Sequence, residues 1–119
     1  MSKIKCICGN ILQDSADGIS YKGYILSDKE YFSLYDLADE MIESNNSNRE
    51  EVAMTFRGNV GGRKSYINFR EIYQCPKCGR ILVEDITGEF FSFFPEKECD
   101  KKLLDYGVNG EIVYTHKKR

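Results

Sequence analysis

Cys6-Ile7-Cys8-Gly9 near the start of the chain and Cys75-Pro76-Lys77-Cys78-Gly79-Arg80 further on are the residues best suited to chemistry. Four thiolates supplied by two tight turns can close a tetrahedron around Zn²⁺, with Zn–S bonds of about 2.3 Å. Each pair is followed by a matching phrase, Gly9-Asn10-Ile11-Leu12 in one case and Gly79-Arg80-Ile81-Leu82 in the other. Glycine in that position tolerates a positive φ, which lets backbone amides turn toward the sulfurs. Cys6, Cys8, Cys75 and Cys78 are therefore the expected metal ligands. A closed shell of four sulfurs leaves no position for water, so the ion's expected role is structural. The competing chemistry for Cys75 and Cys78 is a redox dithiol, which calls for a helix N-terminus within a βαβ unit; the residues after Cys78 read as a turn and a strand instead.

Few other groups offer chemistry. Gly58 to Ser65 comes close to the phosphate-loop pattern G-x-x-x-x-G-K-[ST], but Arg63 stands where the second glycine belongs, and a strand is expected next rather than a helix. It reads as a hairpin loop. His116 is the single histidine and falls in a basic tail, His116 to Arg119, which argues against histidine-based acid–base catalysis. No Ser-His-Asp set and no spaced carboxylate pair stands out, so a non-enzymatic protein is expected. Cys99 is the fifth cysteine, has no partner motif, and reads as a plain thiol.

The two cysteine pairs resemble the knuckles of the zinc-ribbon group of folds, where C-x-x-C-G turns are carried on hairpins. "CPKCGR" fits that pattern closely, whereas "CICG" has one residue fewer between its cysteines. The resemblance covers the knuckles and their flanks. It implies a four-cysteine zinc site at the tips of two hairpins; the insertion from Asn10 to Gln74 is longer than most ribbons carry.

The elements that must position the cysteines follow from pattern. Lys3 to Leu12 is expected to form short strands around the first knuckle, and Ile19 to Leu26 a further strand. Ser27-Asp28-Lys29-Glu30 is a capping box, predicting a helix to about Ser44. Tyr31, Leu34, Tyr35, Ala38, Met41 and Ile42 fall on one face of it, widened by Phe32 and Leu37. Asn45 to Asn48 ends it. Val52 to Arg57 is read as a strand forming a hairpin with Ser65 to Gln74, whose alternation is regular. Ile81 to Asp85 and Glu89 to Phe94 form another hairpin about Thr87-Gly88. A short helix over Lys101 to Tyr106 and a strand over Glu111 to Thr115 complete the expectation. The fold class is thus α+β: a small antiparallel sheet with one main amphipathic helix, stapled by the cysteine site, in a single domain over 1–119.

Composition bounds the function. The chain has 119 residues, 41% of them hydrophobic and 13% aromatic, which suits a globular domain. No apolar run approaches the roughly 18 residues of a membrane span, and no signal-peptide stretch is seen. Paired cysteines without a secretory signal point to a reducing cytoplasm, where metal is favoured over disulfide. The formal charge of −2 argues against a general affinity for nucleic acid. Between Asp28 and Glu51 there are eight acids and two bases. Asp28, Glu30, Asp36, Asp39, Glu40 and Glu43 form the expected partner-binding set, a negative patch able to steer a cationic protein, with Tyr31, Phe32 and Tyr35 interleaved as anchors.

In size, acidity and lack of a catalytic set the chain resembles the small bacterial immunity proteins paired with polymorphic or contact-dependent toxins. That resemblance implies a protein that binds and neutralises a basic toxin domain, such as a nuclease with a cationic cleft. The alternative is a nucleic-acid-binding zinc-ribbon module of transcription or translation, using Arg57, Arg63, Lys64, Arg70, Lys77 and Arg80 with Tyr66, Phe69 and Tyr73 as stacking residues.

Overall fold

The computed structural model describes residues 3–16, 18–62 and 65–105. The strand expected over 111–115, the basic tail, and Arg63 and Lys64 lie outside them. Strands β1 (Lys3–Lys5) and β2 (Ile11–Gln13) pair antiparallel, with Ile4 opposite Leu12. The first cysteine pair sits in the turn between them. A second, four-stranded antiparallel sheet contains β3 (Lys22–Ile25), β6 (Arg70–Gln74), β7 (Ile81–Glu84) and β8 (Phe90–Phe93), in the order β3-β6-β7-β8. The second cysteine pair occupies the β6–β7 turn. The fold class is α+β, as the sequence suggests.

Helix α1 (Asp28–Ile42) starts where its capping box predicts. Ser27 Oγ accepts from the Glu30 amide at 3.1 Å, and the Ser27 amide donates back to Glu30 Oε1 at 3.3 Å. No basic residue stands in the last turn of α1. Arg49 supplies that charge from outside: its guanidinium donates to the carbonyls of Met41, Ile42, Ser44 and Asn46 at 3.2 to 3.4 Å. Met41 and Ile42 present carbonyls at the negative end of the helix dipole, and Ser44 and Asn46 belong to the connection that follows.

Arg49 is itself the first residue of a second helix, α2 (Arg49–Gly58). The strand expected over Val52 to Arg57 is therefore helical, and the hairpin with 65–74 does not form. Asn48 decides the outcome. Its side chain accepts from the Glu51 amide at 3.1 Å, and Glu50 and Glu51 then occupy the positive first turn. Val52 is buried, and α1 and α2 form a helical hairpin. Gly58 closes α2, and the chain continues into β4 (Val60–Gly61), which runs parallel to β5 (Ile67–Asn68). The phosphate-loop-like segment thus begins at a helix end rather than in a hairpin loop, and Ser65 Oγ accepts from the Gly62 amide at 3.1 Å.

The stretch from Ser65 to Gln74 is not one strand. It breaks at Phe69, and its burial does not alternate at the end, since Tyr73, Gln74 and Cys75 are all fully buried. The sheet is covered on both faces there. Tyr73 faces the main core of Cys6, Leu12, Cys75 and Leu82, with Ile4, Tyr21 and Phe90 packed around it. Gln74 faces the other way, under residues 99–103. The short helix expected from Lys101 is a turn over 101–104.

Candidate metal centre

Both knuckles close by the same pair of backbone bonds. In the second, the Cys75 amide donates to the Arg80 carbonyl and the Gly79 amide to the Cys75 carbonyl, each at 2.8 Å. In the first, the Cys6 amide donates to Asn10 and the Gly9 amide to Cys6, again at 2.8 Å, with one residue fewer in the ring. Gly9 and Gly79 take φ values of +100° and +84°, a region costly for any residue with a Cβ. The shorter C-x-C spacing thus leaves the turn intact. Leu12 and Leu82, which end the two matching phrases, both enter the core beneath the cysteines.

The four Sγ atoms of Cys6, Cys8, Cys75 and Cys78 lie within 4.8 Å of one another. Across the two knuckles, Cys6 and Cys78 are 3.5 Å apart and Cys8 and Cys75 are 3.6 Å apart. A tetrahedral four-thiolate shell with metal–sulfur bonds of about 2.3 Å has sulfur–sulfur edges of about 3.8 Å, so the cluster fits the group. Cys6 and Cys75 are buried, while Cys8 and Cys78 are partly exposed. The four cysteines lie close enough to hold a metal ion.

Electrostatics divides the sulfurs. Burial opposes ionisation of Cys78, but the Arg80 amide and guanidinium, with hydrogen bonds from Cys6 and Cys8, outweigh it and bring the pKa down to about 6. Burial likewise opposes ionisation of Cys75; the amides of Cys78 and Lys77, the Asn10 side chain and Cys8 prevail and lower it. Cys6 goes the other way. Burial, against the Cys8 amide and with hydrogen bonds to Cys78, Cys8 and Cys75, pushes it up to about 12. A bound cation would let all four become thiolates together.

Two further residues complete the surroundings: Arg80, a flanking base suited to lowering a thiol pKa, and Asn10, which pattern reasoning passed over. Asn10 Nδ2 donates to Cys75 Sγ at 3.6 Å, and Arg80 hydrogen-bonds Cys78. Each directly follows a knuckle glycine, a position that the repeated phrase marks without telling which sulfur it reaches. The Arg80 guanidinium also stands 4.6 Å from the Phe94 ring centroid.

The acidic set is placed less uniformly. Asp28, Asp36, Asp39, Glu40 and Glu43 are exposed on α1. Glu30 turns inward: its Oε2 accepts from the Asn68 amide at 2.8 Å, and its Oε1 lies 3.8 Å from Arg70. Its role is structural, and it does not belong to the exposed face. The expected apolar stripe divides too. Leu37 is buried and Leu34, Ala38 and Met41 half-buried, but Tyr31, Phe32, Tyr35 and Ile42 are exposed by 44%, 58%, 56% and 71%. The covered face of α1 is narrow, because α2 and β5 are its neighbours.

Fold and centre together define an α+β protein organised round a four-cysteine cluster competent to bind metal. The chain belongs to the family described as Domain of unknown function (DUF8617), which matches residues 2–112. No curated protein and no solved structure shows a match to the chain. Among the described residues, no helix is long and apolar enough to cross a membrane.

Proposed function

We propose that the centre holds one Zn²⁺ in a closed four-thiolate shell with a structural role, and that the protein acts in the cytoplasm by binding another protein. The partner is a cationic domain, and the reading favoured is a bacterial immunity protein that neutralises a basic toxin such as a nuclease. One observation carries it: the outward face of α1 sets exposed aromatics beside exposed acids. Tyr31 packs edge-on against both Phe32 and Tyr35, with centroids 5.4 and 5.2 Å apart. Asp28, Asp36, Asp39 and Glu43 flank this group on the same side of the helix. Aromatic anchors within a charged rim are what a protein interface requires, and the acids speed encounter with a basic surface.

The test is co-purification from the native cell, followed by assay of the captured protein. A basic partner whose toxicity this chain suppresses is expected. Replacing Asp36, Asp39, Glu40 and Glu43 by their amides should weaken the complex by roughly tenfold or more and reduce its salt dependence. Affinity unchanged by those four substitutions would defeat the acidic-face reading. The nucleic-acid alternative draws less support. Tyr73 is fully buried, Arg70 pairs with Glu30, and Arg80 is engaged with Cys78 and Phe94. Simple flow-through on heparin at low salt would dispose of it.

A further inference from the structure

Gln74 is fully buried one residue before a cysteine of the centre, and its carboxamide joins two parts of the molecule. Nε2 donates to the Gly79 carbonyl within the second knuckle at 3.4 Å and to the Asp100 carbonyl at 3.0 Å. Oε1 accepts from the Leu103 amide at 2.7 Å. Residues 99–105 therefore cross the sheet face opposite the main core, anchored at the knuckle. Two glycines lie beneath them at contact distance. A Cβ on Gly79 would lie 3.5 Å from Lys101, and one on Gly23 of β3 would lie 3.4 Å from Leu104. The same segment walls a cavity of about 330 Å³ that opens onto Cys78, lined also by Phe94, Pro95 and Cys99.

We propose that residues 99–105 form a strap that docks across the second knuckle when the centre is metal-loaded and slows exchange of the metal. The inference rests on the reading of the four cysteines as a metal site. A bound ion fixes Cys75 and Cys78, and with them the turn that presents the Gly79 carbonyl to Gln74 and the flat seat for Lys101. Loosening that turn removes the Gly79 bond of a buried carboxamide and the platform beneath the strap. Linkage makes the coupling reciprocal: if the metal favours the docked strap, the docked strap favours the metal by the same factor, and with association unchanged a weaker affinity is read as faster release. Through Cys99 and Lys101 the strap also lines the cavity beside Cys78, so undocking it would widen the approach of a competing ligand.

The experiment uses the full chain loaded with zinc and compares the wild type with Leu104→Ser and Gln74→Leu. Leu104→Ser touches the strap and its β3 seat and leaves the knuckle unchanged. Hydrogen exchange at the Leu103 amide, which donates to Gln74, reports docking, and at the Asp105 amide, which donates to Lys102, the turn that docking holds; transfer of zinc to a chromophoric chelator reports exchange. Both variants should bind zinc stoichiometrically, lose protection at the two amides, and release zinc faster by roughly fivefold or more. An unchanged release rate in a variant whose strap amides have lost protection overturns the proposal. Retained protection in both variants overturns it too, because the stated contacts would not be what holds the strap. A wild type that takes up no zinc fails at the stoichiometry step, defeating the metal reading and the strap with it.

Discussion

Cys78 and Cys6 face each other at 3.5 Å, yet their surroundings ask opposite things of them. Arg80 and its amide support a thiolate at Cys78, while burial withholds one from Cys6. A cation reconciles the two, and removing one sulfur breaks the arrangement in its most anionic place. In Cys78→Ser the shell is incomplete and the Arg80 side chain loses its anionic partner. Because structural zinc binding is worth on the order of 10 kcal/mol and is linked to folding, the variant should lose stoichiometric metal and cooperative thermal unfolding. A melting curve like that of the wild type would contradict this. The members of the four-cysteine cluster were legible in the sequence, since their spacing and their glycines are local properties. Asn10 and Gln74 were not. Each acts on a group 65 and 26 positions away respectively, a relation created by the fold and invisible to spacing.

Secondary elements show the same boundary between local and tertiary information. The start of α1 was legible because the capping box is a bond between residues three apart. Its outer face was misjudged: Tyr31, Phe32 and Tyr35 have core-like side chains at helical spacing, but period alone does not say how wide a face the neighbours cover. The second helix was missed because Val52, Thr55 and Phe56 suit a strand, and the weak cue of Asn48 three residues before Glu51 outweighed them only in context. Helix α1 ends on a borrowed cap, which gives the helical hairpin its own prediction. Arg49→Ala removes four charge-assisted bonds from solvent-exposed carbonyls and should destabilise the hairpin by about 1 kcal/mol, with Arg49→Lys recovering part of the loss. Amide exchange over 39–44 should rise in Arg49→Ala while exchange in β6 and β7 stays as it was; a uniform rise would assign Arg49 a different role.

For the whole molecule, the question is what ties these pieces together. The buried apolar set among the described residues is short: Cys6, Leu12, Leu37, Val52, Ile67, Tyr73, Cys75 and Leu82. Two of these eight belong to the cysteine cluster, so the core and the candidate metal site are one structure, and small cores depend on such staples. The helical hairpin is joined to the sheet elsewhere, through Glu30 at the Asn68 amide and Arg70. The Asn68 amide, with further hydrogen bonds from Ser27 and the Arg70 charge, holds the Glu30 carboxyl below its ordinary value of 4.5. The stability this contributes is present above that value and is lost as pH falls through the lowered one. The Asn68 amide resonance should therefore titrate with a midpoint below 4.5 in the wild type and show no such step in Glu30→Gln. A step persisting in Glu30→Gln would place the titrating group elsewhere.

The central claim is that one ion clasps the first hairpin to the β6–β7 turn through four sulfurs. X-ray absorption at the zinc edge on freshly purified protein, with the metal quantified in the same sample, tests it directly. One zinc per chain surrounded by four sulfur scatterers at about 2.3 Å is the predicted result. No stoichiometric metal, or a first shell containing nitrogen or oxygen, would contradict it.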